Sequence, residues 1–398
     1  MNNLYKVNLM PIEPLLFTDN RSARAGEDHL IRDQDPSPHT IYGAIGACIA
    51  GMYGVEIDEK EWKKVANILG DFQRDIKVGS ENRSELLGYY YSDTNNNAWF
   101  PCPQHIRLRQ RYSQVFVGNG PKVTELSTNV TSSSLNELKK YLDYETDVDE
   151  RDRSDLISEE MLRRFLCDEM VGEELKIGID RIPIDMLFKN EVRLGLGMNY
   201  TKNQTITGRL FSRPYRRYRS QVTNMGDWQS VSLIAFFRTI APLDEKIIKR
   251  RRIAVLGGDR GRALTYFQPS ASSDMLSEVR KAVMAATNGS NGFFIYLLTP
   301  AVWENQWPLI KDEKPIAAAI GKSRAISGWS SNSQAQHPRP IRRLLPAGTV
   351  FFFNWPGNKP DSQLIDEYWL EPITRHSGNN YRNSGFGRML IGVWRHEK

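Results

Sequence analysis

Between Val192 and Gly226 the chain contains no aspartate or glutamate, while Arg193, Lys202, Arg209, Arg213, Arg216, Arg217 and Arg219 all fall inside that window. Seven positive side chains without local counter-charge cannot be packed into an apolar core. Such a stretch usually forms a solvated strand face or turn, and it also suits a polyanion. The formal charge of the whole chain is +6, so the excess is concentrated here and the remainder is close to neutral. At its centre, Thr207 to Arg219 (TGRLFSRPYRRYR) interleaves five arginines with Phe211, Tyr215 and Tyr218. Guanidinium forks match phosphate oxygens, and aromatic faces stack on unpaired bases. Two further acid-free stretches follow: Pro315 to Pro360, with Lys322, Arg324, Arg339, Arg342, Arg343 and Lys359, and Ile373 to His396, with Arg375, Arg382, Arg388 and Arg395. Recurrence favours nucleic acid over a single solvated face.

A chain of 398 residues can bury a large core and is expected to form two domains, 1–226 and 227–398. The sequence pI near 9.0 agrees with a polyanionic partner. Cys48, Cys102 and Cys167 are too far apart for a zinc or disulfide framework and fit a reducing cytoplasm. The opening MNNLYKVNLMPIEP lacks the pattern of a secretion signal, and the apolar run Ile41 to Val55 is too short to span a bilayer, so no membrane association is expected.

Alternation predicts a first strand over Leu4 to Met10, ended by Pro11 and Pro14. A polar loop from Phe17 to Pro38 carries Arg21, Arg24, Glu27, Asp28 and His29. Ser37 and Pro38 have the chemistry of an N-cap and first helical residue for a helix running to about Tyr53, whose small residues (Gly43, Ala44, Gly46, Ala47, Ala50, Gly51) permit close packing. Its N-terminus, with Ser37, His39 and Thr40, offers N–H groups to a phosphate or simply to solvent. Glu59 to Leu69 and Ser158 to Cys167 read as helices, and Asp143 to Glu160 as an acidic surface insertion, linker or helix start. Tyr89 to Tyr91 with Trp99 and Phe100 suggest a hairpin. Arg252 to Leu256 and Ala263 to Phe267 flank the turn Gly257 to Arg262 (GGDRGR). Asp274 to Thr287 is patterned as a helix. Gly292 to Leu298, Thr349 to Trp355 and Met389 to Trp394 are patterned as strands. This order fits an α+β fold of the ferredoxin-like kind.

Seven landmarks in order carry a more specific resemblance: MPIEPLLFTDN with AGED; DPSPHTIYGAIGA; EVRLGLGMN followed by TITGRLFSRPYRRYR; LGGDRGRALTY; LLTPAVW; AISGWSSN with HPRPIRRLLPAGTVFFF; and SGFGRMLIGVW. Together they resemble the RAMP superfamily of CRISPR-associated proteins, and within it the tag-binding subunit of the type III-B (Cmr) effector complex. The resemblance implies two ferredoxin-like domains and a non-catalytic role holding the repeat-derived 5′ tag of crRNA. It also implies contacts with a large polymerase-like subunit and with a backbone RAMP subunit, and no cofactor or metal. Carried onto this sequence, the family's glycine-rich loop is Gly385, Phe386, Gly387 and Arg388, where glycines let backbone approach phosphate. Gly257, Gly258 and Arg260 match a GGE-R signature in which Asp259 replaces glutamate and is expected to pair with an arginine. The RNA path implied runs along residues 37–40, 208–219 and 384–388, with Arg21, Arg24, Arg342 and Arg343 as further contacts.

Two other readings stand beside this one. A metal-independent endoribonuclease acting on precursor crRNA would use His29 or His39 as general base. A protein-docking scaffold would use the basic faces against acidic subunits. GGDRG lacks the second acidic residue of a nucleotide cyclase, and Walker A, GxSxG and paired Cys/His signatures are missing.

Overall fold

The computed structural model describes residues 3–18, 35–55, 64–70, 83–106, 155–169, 174–199, 201–202, 204–220, 229–270, 276–303, 307–327, 329–330, 337–338, 340–373 and 379–395, with the backbone of four short strands between 108 and 143. The chain enters as β1 (Leu4–Pro11) and, beyond Asp35, forms α1 (Pro38–Met52). Ser37 caps α1: its Oγ accepts from the Thr40 N–H at 3.2 Å, and Pro38 occupies the first turn. Strands β2 (Glu85–Ser92), β3 (Ala98–Pro101) and β4 (Asp155–Ser158) follow, then α2 (Glu159–Leu166) and β5 (Arg181–Pro183). A long hairpin of β6 (Phe188–Asn199) and β7 (Gln204–Ser220) precedes β8 (Ser232–Arg238), β9 (Arg252–Val255) and β10 (Arg262–Pro269).

Eight of these strands form one antiparallel sheet in the order β5-β4-β3-β2-β8-β1-β10-β9. Strand β1 lies at its heart, paired with β8 on one side (Val7 opposite Ala235) and β10 on the other (Val7 opposite Phe267). Both neighbours come from beyond residue 226. A division at 226/227 therefore falls between strands of one sheet, and the unit built on the N-terminal strand continues to Pro269. Local pattern could not reveal this, because the pairing spans more than two hundred residues.

The remaining chain forms α3 (Ser277–Ala286), β11 (Gly292–Leu297), β12 (Ala317–Ala319), β13 (Arg324–Ile326), β14 (Arg342–Leu345), β15 (Val350–Asn354), α4 (Ser362–Tyr368) and β16 (Met389–Trp394). Its main sheet has the order β12-β15-β11-β16. Numbered along the chain, these strands stand 2-3-1-4, and β2-β8-β1-β10 repeat that order in the first sheet. The architecture is thus mixed α/β, with mostly antiparallel sheets and few helices.

Among the described residues side-chain alternation builds two large cores. Tyr5, Val7 and Leu9 of β1 face Ile41, Ile45 and Ile49 of α1 on one side of the large sheet. On the other side Leu87, Phe100, Ile234 and Phe236 join Phe293, Phe294, Phe351 and Phe353 of the second sheet and the apolar faces of α2 and α3. Ala44, Gly46 and Ala50 of α1 are buried, whereas at Gly43 and Gly51 an added Cβ would meet nothing within 4 Å, so those two glycines serve no close packing. All three cysteines are buried and unbridged, and burial pushes the Cys48 and Cys167 thiols up to about 11.

One buried contact locks the two sheets together. Arg388, just before β16, is fully buried; its guanidinium donates to the Glu85 carboxylate of β2, to Leu86 O at 3.0 Å, to Leu370 O at 2.9 Å and to Arg382 O at 3.1 Å. Burial acts to raise the Glu85 carboxyl, but Arg388 outweighs it and holds Glu85 below the usual range. Removing one member of a buried pair costs about 3–5 kcal/mol when the other is left alone, and Glu85 keeps Arg238 at 3.1 Å, so the lower end applies. Arg388→Met is therefore expected to lower stability by that order, read by urea unfolding at neutral pH. Because the folded Glu85 value is depressed, the pair's contribution is complete above the ordinary carboxylate range and is lost as pH falls through the folded value. The wild-type and Arg388→Met curves should accordingly converge in acid.

Candidate nucleic-acid interface

The three acid-free stretches, remote in sequence, meet at the segment leading into α1. Asp35 accepts from Arg216 of β7 at 2.6 Å and from Arg324 of β13 at 2.8 Å. Burial acts to raise the Asp35 carboxyl, but these two arginines prevail and hold it low. Tyr89 of β2 donates to Pro36 O at 3.0 Å, fixing the same segment. In the first turn of α1 the His39 ring meets Phe386 edge-on at 5.1 Å and lies against Tyr381 at 5.4 Å. Residues of the stretches 192–226, 315–360 and 373–396 thus converge on residues 35–39.

The hairpin is held at its base by a second set of contacts. Leu15 and Arg216 exchange backbone hydrogen bonds at 2.9 and 2.8 Å. The Arg216 guanidinium is buried over the Phe188 ring at 4.1 Å. Arg213 and Tyr215 both donate to Asp259 in the β9–β10 turn. Burial acts to raise Asp259, and these two donors bring it below its ordinary value. The expected pairing of Asp259 with an arginine is thereby met by Arg213. Arg193 stacks over Tyr215 at 4.6 Å, and Glu191 takes Arg193 at 2.7 Å and Arg217 at 2.6 Å. Glu191 stands one residue outside the acid-free window, and β pairing brings it opposite Tyr215, beside Arg217.

The sequence-predicted residues divide accordingly. Arg219, Arg260, Arg342 and Arg343 are exposed. Arg342 and Arg343 lie on β14, antiparallel to β13; alternation puts Arg342 on the same face as Arg324, two residues from its partner Leu344, and Arg343 on the other face. Exposed Lys322 precedes the same strand, and Arg382 is exposed beside the Tyr381–Phe386 contact. Lys322, Arg324 and Arg382, named only as members of basic runs, join this face through pairing and packing that no local motif encodes.

Several expectations are corrected. Arg388 cannot reach a phosphate, because its guanidinium is buried and fully engaged in the protein. Phe386 is buried at 2% exposure and packs on His39 and Tyr381 rather than offering a face to a base. Gly385 (φ +89°) and Gly387 (φ +68°) are needed for close protein packing: an added Cβ at Gly385 would come within 2.8 Å of Leu86, and at Gly387 within 2.9 Å of Ile373. Gly257 (φ +84°) and Gly258 are likewise approached by Leu16, whose carbonyl accepts from Gly258 N–H at 2.8 Å. Arg216 is buried, as a buttress of the hairpin rather than a contact on its surface. Ser37 and Thr40 are engaged in the α1 cap, their hydroxyls 2.9 Å apart. Arg21, Arg24 and His29 lie outside the described residues, and of Arg209 only the backbone in β7 is described. Among the described residues no cluster of three His, Cys, Asp or Glu is arranged to hold a metal, and no helix is long and apolar enough to cross a membrane.

The chain is thus a mixed α/β scaffold with a repeated strand order, and its basic face is assembled from three distant segments around one helix start. It belongs to the family whose model is described as CRISPR-associated protein (Cas_Cmr3), which matches residues 7–394. Among solved structures it is similar to a chain of the type III-B Cmr-beta complex bound to cognate target RNA, at 12% identity over 96% of each chain with a TM-score of 0.47. It is similar to a chain of the same complex bound to cognate target RNA and AMPPnP, at 12% identity over 96% of this chain and 95% of that one, TM-score 0.48. No curated protein sequence matches it.

The geometry separates buttress from surface. Arg216→Ala is expected to lower the melting temperature, because it removes one of the two arginines on Asp35 and uncovers the Phe188 ring. Arg342→Ala and Arg343→Ala are expected to change stability by no more than about 0.5 kcal/mol each, as exposed positions do. Thermal unfolding of the three variants checks this.

Proposed function

We propose that this chain is a non-catalytic RNA-binding scaffold subunit of a type III-B CRISPR effector complex, which holds the 5′ tag of crRNA and bridges a large polymerase-like subunit to a backbone RAMP subunit. The observation that carries the reading is the convergence of the three acid-free stretches on residues 35–39, with Arg219, Arg324, Arg342, Arg343, Arg382 and Lys322 left exposed. Such a surface neutralises phosphates from several directions along a single strand. Family membership supplies the biological setting. The 2-3-1-4 strand order in both sheets is that of a ferredoxin-like unit, and it supports two such units meeting near residue 270, rather than at 226, with the glycine loop acting as their clasp.

The nuclease alternative draws little from the site. His39 is packed against two aromatic rings, a position that suits a structural contact better than a general base.

Binding of labelled tag RNA by the purified chain, across a salt series, tests the proposal. Tag-preferring, salt-sensitive binding without cleavage is expected. Replacing Arg219, Arg342 and Arg343 together by alanine should weaken it and reduce the salt slope by about 0.7 for each phosphate no longer neutralised. An unchanged slope would move the RNA path off this face. Site-specific cutting of a longer precursor, abolished in His39→Ala, would replace the scaffold reading with the nuclease.

A further inference from the structure

Among the described residues, the end of the large sheet opposite β5 is an open edge. Strand β9 pairs with β10, and among the described residues no strand lies on its other side. At the mouth of this hairpin Leu256 donates its N–H to Gly261 O at 2.7 Å. Bonded and non-bonded pairs alternate in an antiparallel ladder. Arg252 and Ala254 therefore bond inward to Thr265 and Ala263, while Ile253 and Val255 turn their N–H and C=O groups to the open side. The side chains of the same two residues are exposed, at 58% and 54%. Ala254, between them, is buried in the core beneath α1. Lys249, Arg250 and Arg251 are exposed immediately before the strand, and Arg252 begins it.

Sheet edges are usually blunted by a charge, a proline or a bulge within the strand. Strand β9 is short and begins with Arg252, but it carries no proline or bulge, and Lys249 to Arg252 gather the charge at one end. We propose that this edge receives an extended protein segment, which adds as a ninth strand, sets alternate apolar side chains on Ile253 and Val255, and places acidic residues against the 249–252 run. Main-chain hydrogen bonds at such an edge supply affinity, and alternate side chains supply specificity. The basic run supplies charge complementarity, which guides encounter and register. An RNA strand fits less well, because a phosphate backbone cannot pair with a row of alternating donors and acceptors flanked by isoleucine and valine.

The test uses the full-length chain and a fluorescent synthetic peptide with an aspartate-rich half followed by alternating valine and threonine. Binding is expected to slow amide exchange at Ile253 and Val255 by at least about tenfold, as ordered strand pairing does. Ile253→Pro should abolish binding while keeping the fold, because that N–H serves no bond within the sheet. A peptide N-methylated at every residue of its alternating half, which blocks both of its edges and leaves the protein untouched, should also fail to bind. Arg250→Glu combined with Arg251→Glu should weaken binding and flatten its salt dependence. Tag-RNA binding is expected to be unchanged in Ile253→Pro, so this inference and the RNA-scaffold reading fail separately. Unprotected amides, equal binding of the N-methylated peptide, protection of the same amides by oligouridine, or a self-dimer dissolved by Ile253→Pro would each overturn the proposal.

Discussion

Arg388 sits where the glycine loop hands the chain to its last strand, and it commits its whole guanidinium to the protein: the Glu85 carboxylate and three carbonyls, drawn from β2 and from the segments around residues 370 and 382. This contact joins the two sheets. Glu85 opens β2, which pairs with β8, which pairs with β1, so the first sheet is tied directly to the end of the chain. The pair is tolerable in a low-dielectric site because hydrogen bonds to carbonyls accompany the ion pair. Gly385 and Gly387 allow the approach, since a Cβ at either would collide with Leu86 or Ile373.

The same logic explains why so basic a chain folds without self-repulsion. Asp35, Glu191 and Asp259 each serve two partners from the hairpin or its surroundings, and each is held ionised by them. Glu191 thus pairs arginines within the hairpin, while Asp35 and Asp259 take Arg216 and Arg213 and fix β7 on the body. Arg219, Arg342, Arg343 and Arg382 lie outside this lattice and stand on the surface. A basic run is therefore divided by the fold into buttress and interface, and its members are not interchangeable.

How far the residues alone reach can be judged from particular elements. The Ser37 cap, the α1 helix, the GGDRGR turn and the strands over 292–297 and 389–394 follow from capping chemistry, turn residues and short apolar runs, which are local. A boundary at 226 cuts across the first sheet, because β1 recruits β8 and β10 from beyond it. Phe386 and Arg388 read locally as an exposed glycine loop with a charge. Nothing within ten residues of them announces Glu85 or Leu86, which come from about three hundred residues away.

By itself the sequence determined that the chain is a mixed helix-and-strand protein, that its positive charge is clustered and unbalanced locally, and that seven ordered landmarks tie it to one CRISPR-associated family. These properties reside in composition, short-range periodicity and motif order. Only the tertiary structure decided which arginines are buried, that the three acid-free stretches meet at Asp35 and His39, and that Ile253 and Val255 stand at the rim of the large sheet. Those outcomes depend on strand register and on pairings between distant residues, where each side chain's role is set by the neighbour that folding places beside it.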